Sequence, residues 1–464
     1  MSLEENTNEH LDLHDDDRQL SLEWIEKLRS NILDGDKASV QKQFFELHAA
    51  DVGDVLETLE FEEREKLLSL LGDKFDYSAL AEVDEAIRLQ LIDALPNADI
   101  ARGVSEIDSD DAVFILEDID EPEREDILAK IPAQERMSLK RSLDFPEDSA
   151  GRRMQSEFIA IAPFLNVGQM IDQMRIDESL PEEFYQIYVV DPAYNLLGII
   201  ALDKLLRAKR SIKVKELMNS EVIKIDASLD QEEAAHIFDH YDLVEVAVVD
   251  ENQRMVGVLT IDDIVDVIQE EVDEDIKALV GIGNESISDS VFKAVKSRFT
   301  WLAVNLGTAI LASSVIALFD ATIEQMVALA VLMPIVASMG GNAGIQTMTV
   351  TVRAISMKDL DRFNMYRLIN REGLVGLVNG IIFAIIIGAV TAVWFSNIAL
   401  GVIMGIAMVV NMAVAGLAGI IIPLSLNKVG IDPAVASSAF VTTVTDVVGF
   451  FAVLGLAALW FGLF

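Results

Sequence analysis

Asp446 is the one carboxylate placed deep in a long apolar stretch, at the end of Phe440-Val-Thr-Thr-Val-Thr-Asp446. No apolar run holds a lysine or arginine to pair with it, so its counter-charge comes from solution or from another polar group. An ionisable residue at such depth marks an ion pathway by default; a hydrogen bond from Asn411 or a threonine is the structural alternative. A second polar feature is Met333-Pro-Ile-Val-Ala-Ser-Met-Gly340-Gly341-Asn342-Ala-Gly344-Ile-Gln346. The glycines alone would suit close helix packing, but the amides of Asn342 and Gln346 would each cost several kcal/mol, about 2–7, if left unpaired in lipid. With Pro334 loosening the helix, the stretch reads as Gly-broken backbone. Such backbone is tolerated in a membrane only where it is buried or lines a wet cavity. A third feature is acidic: Asp266, Glu270 and Glu274 fall at i, i+4 and i+8, with Glu271 and Asp275 beside them. Like charges at that spacing cost about 0.2–0.5 kcal/mol per pair on a helix, which a bound divalent cation would offset. A solvated charge run is the plainer alternative.

The donor chemistry narrows the cation. There is no cysteine, and the five histidines are scattered and read as forming no pair at metal spacing. Oxygen-only surroundings suit Mg²⁺, Ca²⁺ or Mn²⁺ rather than Zn²⁺ or Cu²⁺. One carboxylate among amides and hydroxyls suits an ion that keeps most of its water, which is Mg²⁺ behaviour, although this chemistry leaves Mn²⁺ open.

The elements that must position these groups divide near residue 296. Residues 297–464 hold seven acidic and seven basic residues, so of 77 acids and 36 bases the remaining 70 and 29 fall in residues 1–296. The whole net charge of −41 therefore belongs to the first part. Such a surface repels nucleic acid and attracts multivalent cations. The N-terminus has neither a basic nor an apolar signal region. Residues 1–20 read as an acidic tail and 21–143 as an α-helical N domain with apolar residues at three- and four-residue spacing. Leu56, Glu57, Glu63, Arg64, Glu65 and Leu68 recur sixty residues later as Leu116, Glu117, Glu123, Arg124, Glu125 and Leu128, which predicts stacked helical hairpins, a short α-solenoid. Residues 144–153 break the pattern as a linker.

Residues 154–265 form two matched α/β units, with strands at 185–190 and 244–249, a turn opening on Asp191 or Asp250, and a second strand around Gly198 or Gly257. The tandem resembles a pair of CBS domains. Gly257-Val-Leu-Thr260-Ile-Asp-Asp263 is similar to that family's ribose-binding motif, while the first copy has Ala201 and Lys204 at the Thr and Asp positions. Thr260 and Asp263 are thus nucleotide-binding candidates, with helix N-capping as the structural alternative. Residues 266–297 read as a connecting helix. Five apolar runs follow within 298–464, starting at Phe299, Met326, Leu374, Ile398 and Pro433, each long enough for the ~20 residues that span a bilayer. Arg353, Lys358, Arg362, Arg367 and Arg371 crowd the connection between the second and third runs, which the positive-inside rule places in the cytoplasm. Lys293, Lys296 and Arg298 before the first run agree. Five spans then put the acidic part inside the cell and the C-terminus outside. Asp446 lies fourteen residues past Asp432, roughly 21 Å along a helix.

In this order the chain resembles the MgtE family of magnesium channels over nearly its whole length. The motifs that carry the resemblance are Pro334–Gln346, Gly430-Ile-Asp-Pro-Ala434, Phe440–Asp446 and Leu143–Met154. The resemblance implies a multi-pass protein of the cell (inner) membrane: a helical N domain, a tandem CBS module, a plug helix and a five-helix transmembrane domain. It implies a homodimer with an axial pore lined by the second and fifth spans. Asp446 from each chain would hold hydrated Mg²⁺, helped by the Thr442 carbonyl, with Asn342 and Asp432 along the same path. Cytosolic Mg²⁺ would close the pore through sensor acids Asp242, Asp263, Asp266, Glu271, Glu274 and Asp275, with N-domain partners Asp108, Asp110 and Asp111. ATP at the CBS pair would bias the same equilibrium. Two rival readings stand beside this one. A carrier coupled to H⁺ or Na⁺ would need a chain of titratable groups in the spans. A membrane-anchored CBS nucleotide sensor would leave Asp446 unexplained. No Asp pair, Ser–His pair or His-Glu-x-x-His motif in the spans points to an enzyme.

Overall fold

The computed structural model describes residues 13–15, 19–45, 47–177, 180–181, 184–283, 291–356 and 362–462. Most of the acidic tail, residues 284–290 of the expected connecting helix, Lys358 and the last two residues lie outside them. The chain forms two compact units, residues 1–269 and 270–464.

The first unit opens with nine short α-helices between Leu22 and Leu143. Each is too short to persist alone in water; they stand because leucine, isoleucine and valine on their inner faces make one continuous core that includes Leu28, Val55, Leu56, Leu67, Leu91, Ile100, Ile115 and Leu116. The sixty-residue repeat has a physical meaning here. Helices leave their last carbonyls unpaired, and arginines seven residues further on supply the donors. Arg64 Nη2 donates to Glu57 O at 3.3 Å and Arg124 Nη1 to Glu117 O at 3.5 Å. Arg88 reaches Ala81 O and Arg136 reaches Ala129 O in the same way. Residues 144–153 are not a loose linker. They carry a helical turn, Ala150–Arg153, whose amides are tied to the second CBS copy: Ala150 N to Leu229 O at 2.7 Å and Gly151 N to Ala227 O at 2.8 Å.

Two three-stranded sheets follow, each a parallel pair extended by an antiparallel hairpin. In the first, Ala160–Ile161, Gln186–Val190 and Leu196–Ala201 pair in that order; in the second, Lys224–Asp226, Glu245–Val249 and Met255–Thr260 do. Glu245 is buried where the two copies meet and accepts the Tyr188 hydroxyl at 2.6 Å. The helix after the last strand runs Ile261–Leu279. It therefore begins as the closing helix of the second CBS copy, five residues before the expected boundary. It does not continue to residue 297: Gly281, at φ 72°, breaks it in the left-handed region that glycine alone enters freely.

In the second unit five helices are long and apolar enough to cross a membrane: Val291–Ala317, Ala328–Ser356, Asn364–Trp394, Ile398–Val429 and Ser438–Phe461. The second span corrects the sequence expectation. It is one unbroken α-helix through Pro334 and all three glycines. In hydrocarbon an unpaired peptide group costs more than the ~1 kcal/mol by which glycine weakens a helix, so the helix persists. The small residues serve close packing instead.

Candidate functional site

Two separate groups of acidic residues emerge, one in each unit. In the first unit the N-terminal end of helix Ser109–Glu117 faces the start of helix Ile261–Leu279. Asp110 and Asp111 sit in the first turn of the former, where the helix dipole favours negative charge. Asp108 is the N-cap residue but makes no capping bond. Glu157 takes that role, accepting the Ser109 amide at 3.3 Å and its hydroxyl at 2.7 Å. Asp110 is hydrogen-bonded to Asp263, and Asp263 accepts the Thr260 hydroxyl. A carboxylate pair in such contact must hold one proton between its members. Burial, then the Asp263 charge, push Asp110 well above the usual carboxylate range. Burial lifts Asp263 to about 6. Asp111 rises to about 8 through burial, then the charges of Asp110, Asp108, Glu82 and Asp266. Glu82 is raised by burial and then by Asp266, while Asp266 is raised by burial and then by Asp262.

The expected sensor acids Asp108, Asp110, Asp111, Asp263 and Asp266 are thus brought together. Glu82 and Asp262 belong with them and were missed. Asp262 directly precedes the motif's last residue and could have been included; Glu82 lies in a helical connection with no sequence signal. Asp242 is elsewhere in role, an exposed C-cap at φ 52°, where aspartate is among the few residues that tolerate the left-handed conformation. Among the described residues no three His, Cys, Asp or Glu side chains converge at metal-binding spacing. The histidines need a correction: His236 and His240 do share a face of helix Gln231–Tyr241, with ring centroids 6.0 Å apart, although no third ligand joins them.

In the second unit Asp446 is half-buried in the fifth span and has no hydrogen-bond or ion-pair partner among the described residues. Asn411 is not its partner. That side chain is fully buried and donates Nδ2 to the Val336 carbonyl of the second span at 2.8 Å. The Thr442 carbonyl accepts the Thr445 hydroxyl at 2.9 Å. On the second span Ser338, Asn342, Gln346 and Thr349 form an exposed polar stripe at helical spacing, while Gly341 on its inner side lies against Thr442 and Thr445. Asp432 is exposed and caps the last helix, accepting the Ala434 amide at 2.8 Å. Asp275 accepts the Ser356 hydroxyl at 3.0 Å; burial pushes its carboxyl up, the Ser356 bond opposes that rise and the Asp432 charge adds to it. Beyond it Ala278 packs with Met348, Val352, Ala434 and Val441, so the end of the connecting helix lies against the second and fifth spans. Glu271 and the exposed Glu274 stand on the same helix one turn earlier. Sequence reasoning also missed Glu372, assigned to a loop but buried at the start of the third span.

A Magnesium transporter MgtE of Enterococcus faecalis (strain ATCC 700802 / V583) is 34% identical over 314 residues, 68% of this chain and 69% of that one. The chain belongs to the MgtE family. The MgtE family model described as a divalent cation transporter matches residues 333–456, the MgtE intracellular N domain matches 47–148 and a CBS domain matches 214–270. The MgtE of Bacillus subtilis (strain 168) is 29% identical over 413 residues, covering 89% of this chain and 92% of the relative. Among solved structures, the cytosolic domain of the Mg²⁺ channel MgtE in complex with ATP superposes with a TM-score of 0.50 at 27% identity, covering 52% of this chain and 99% of that one. The membrane-spanning MgtE match contains both the polar stripe of the second span and Asp446.

Proposed function

We propose that the chain is a Mg²⁺ channel of the cell membrane, working as a homodimer with Asp446 of each copy facing a shared axial pore. The observation that carries this reading is the membrane-deep Asp446 carboxylate without a protein partner. The polar stripe Ser338, Asn342, Gln346 and Thr349 supports a second copy, since lipid cannot satisfy its amides. A carboxylate, a threonine carbonyl and amides at this spacing suit a cation that keeps its inner water shell. Asp432, fourteen residues or roughly 21 Å back along the helix, both caps the last helix and holds negative charge at the mouth.

The basic connection between the second and third spans supports a cytoplasmic first unit and an external C-terminus. There the acidic cluster acts as the Mg²⁺ sensor. Carboxylates alone are the donors, which fits a hard cation held largely through its own water. Mg²⁺ neutralises Asp108, Asp110, Asp111, Asp263 and Asp266 and favours closure of the N domain on the CBS pair. Glu271, Glu274 and Asp275, with Asp242, extend the same control to the connecting helix, whose end acts as the plug. An ATP ribose at Thr260 and Asp263 would compete with Asp110 for the same carboxylate, so nucleotide modulates rather than drives this switch. The functional division is then tail, N domain, CBS pair, plug helix and five-span pore, with Ile261 as the start of the plug. Cation uptake into proteoliposomes tests the reading: Mg²⁺ influx that vanishes in Asp446→Ala supports it, and influx unchanged by that substitution removes the pore site. Stoichiometric proton movement with uptake would favour a coupled carrier.

A further inference from the structure

The second span is gripped from behind by two buried polar side chains that the pore reading leaves unused. Asn411, on the fourth span, donates Nδ2 to the carbonyl of Val336 at 2.8 Å. The contact needs glycine on both sides: a Cβ at Gly340 would collide with the Asn411 amide, and one at Gly449 of the fifth span would press on it. Eleven residues further along, roughly 16 Å at helical rise, Thr347 donates its hydroxyl to Glu372 Oε2 of the third span at 3.3 Å. Both partners are buried, Glu372 at 6% exposure and Thr347 at 6%. A cationic neighbour, Arg371, is exposed, with its Nε 3.8 Å from Glu372 Oε1. Between them the fourth span closes in, since a Cβ at Gly419 would meet the Gly344 carbonyl and Thr347. An acidic side chain is kept out of water here for one hydroxyl contact and one long ion pair, which is a poor exchange for packing alone.

We infer that Asn411 and Glu372 are positioning residues that fix the rotation of the second span, and so hold Asn342 and Gln346 toward the ion path. This rests on the pore reading. A helix turns its faces by 100° per residue; an α-helix whose faces are mostly small or apolar has little else to set its rotation in a membrane, where apolar contacts discriminate weakly. Two hydrogen bonds at separate heights, one to the backbone and one to a side chain, do set it. The stripe that faces away from both clamps is the polar one, Ser338, Asn342 and Gln346.

The natural absence of cysteine gives a direct test with the full chain in proteoliposomes. Single cysteines at Ser338, Asn342 and Gln346 are compared with buried controls at Ala337 and Met348, using a small charged thiol reagent. The stripe positions react several-fold faster than the controls in the otherwise native chain. Asn411→Leu, Glu372→Leu and the near-isosteric Thr347→Val erase that contrast, whereas Glu372→Gln, whose amide oxygen still accepts the Thr347 hydroxyl, keeps it. Thr347→Val guards against a variant that fails to fold. A contrast unchanged by Thr347→Val and Asn411→Leu, or a Gln variant as disturbed as Leu, overturns the inference. Stripe cysteines as slow as the controls in the native background would overturn the pore reading itself, and this inference with it.

Discussion

The acids of the soluble unit are crowded, whereas Asp446 of the membrane unit is alone. At the first site Asp110, Asp111 and Asp263 are half-buried close to one another; burial pushes all three carboxyls up, and neighbouring charges add to this at Asp110 and Asp111. At the second, Asp446 has polar neighbours on its helix and no other carboxylate beside it among the described residues of its own chain. Crowded carboxylates repel one another unless a proton or a cation neutralises them, which is the behaviour the proposed sensor would need. A lone carboxylate would bind a cation weakly and reversibly, as the proposed conduction site would need, since an ion must leave as readily as it enters.

The comparison breaks most visibly at Asp446. Asp446→Ala should abolish Mg²⁺ flux, on the order of 100-fold or more, since each 1.4 kcal/mol of lost ion stabilisation is a factor of ten. The Mg²⁺-dependent stability of the soluble unit should not change, and thermal unfolding of the same variant checks this. The reverse experiment is Asp111→Asn. Replacing a carboxyl that the folded form holds at a raised value by a neutral amide should raise the melting temperature of the soluble unit without Mg²⁺ by a few degrees, about what 1 kcal/mol gives in a domain of this size. It should also weaken the inhibition of flux by internal Mg²⁺.

A pH series sharpens the same contrast. The folded-state carboxyls of Asp111 and Asp263 are raised to about 8 and about 6. The folded form therefore holds more protons than the unfolded one between the usual carboxylate range and those values. Stability falls as pH rises wherever that holds. The stabilisation is fully present below about 3.8 and is lost as pH passes through about 6 and then about 8. Denaturant titrations of the full chain without Mg²⁺ from pH 5 to 8.5 should show that decline, and saturating Mg²⁺ should flatten it.

The smallest effect belongs to Asp432. Asp432→Ala loses a helix cap worth about 1 kcal/mol and one charge at the mouth. Flux should drop less than in Asp446→Ala and recover with Asp432→Asn, which still caps. A loss equal to that of Asp446→Ala would move Asp432 from the mouth into the conduction site.

The order of domains was legible because each has its own period. Helices of the N domain announce themselves through leucine spacing, the CBS copies through paired β-branched strands, and the spans through length and hydropathy. The place of Asp446 deep in a span was legible too, because one charge stands out in an apolar run. What was not legible depends on partners distant in sequence. Glu372 sits five residues after Arg367 and next to Arg371, so it read as part of a charged loop; only the packing of the third and second spans buries it. Gly340 read as a helix breaker, yet the Asn411 amide that fills the space beside it lies seventy-one residues on. Glu82 joined the acidic cluster from a helical connection with no pattern of its own. The fault with His236 and His240 was different, since their spacing was visible and the shared face follows from 3.6 residues per turn.

The most direct test of the central claim, a lone pore carboxylate governed by a distant acidic cluster, is Mg²⁺ flux in proteoliposomes as internal-face Mg²⁺ is varied. Three proteins are compared: the native chain, Asp446→Ala, and a chain with Asp110 and Asp111 both changed to Asn. We predict native flux that falls as internal-face Mg²⁺ rises, no flux in Asp446→Ala at any concentration, and flux in the double variant whose response to Mg²⁺ is shifted or flattened. Flux in Asp446→Ala equal to native, or a Mg²⁺ response unchanged by the double substitution, would contradict the account.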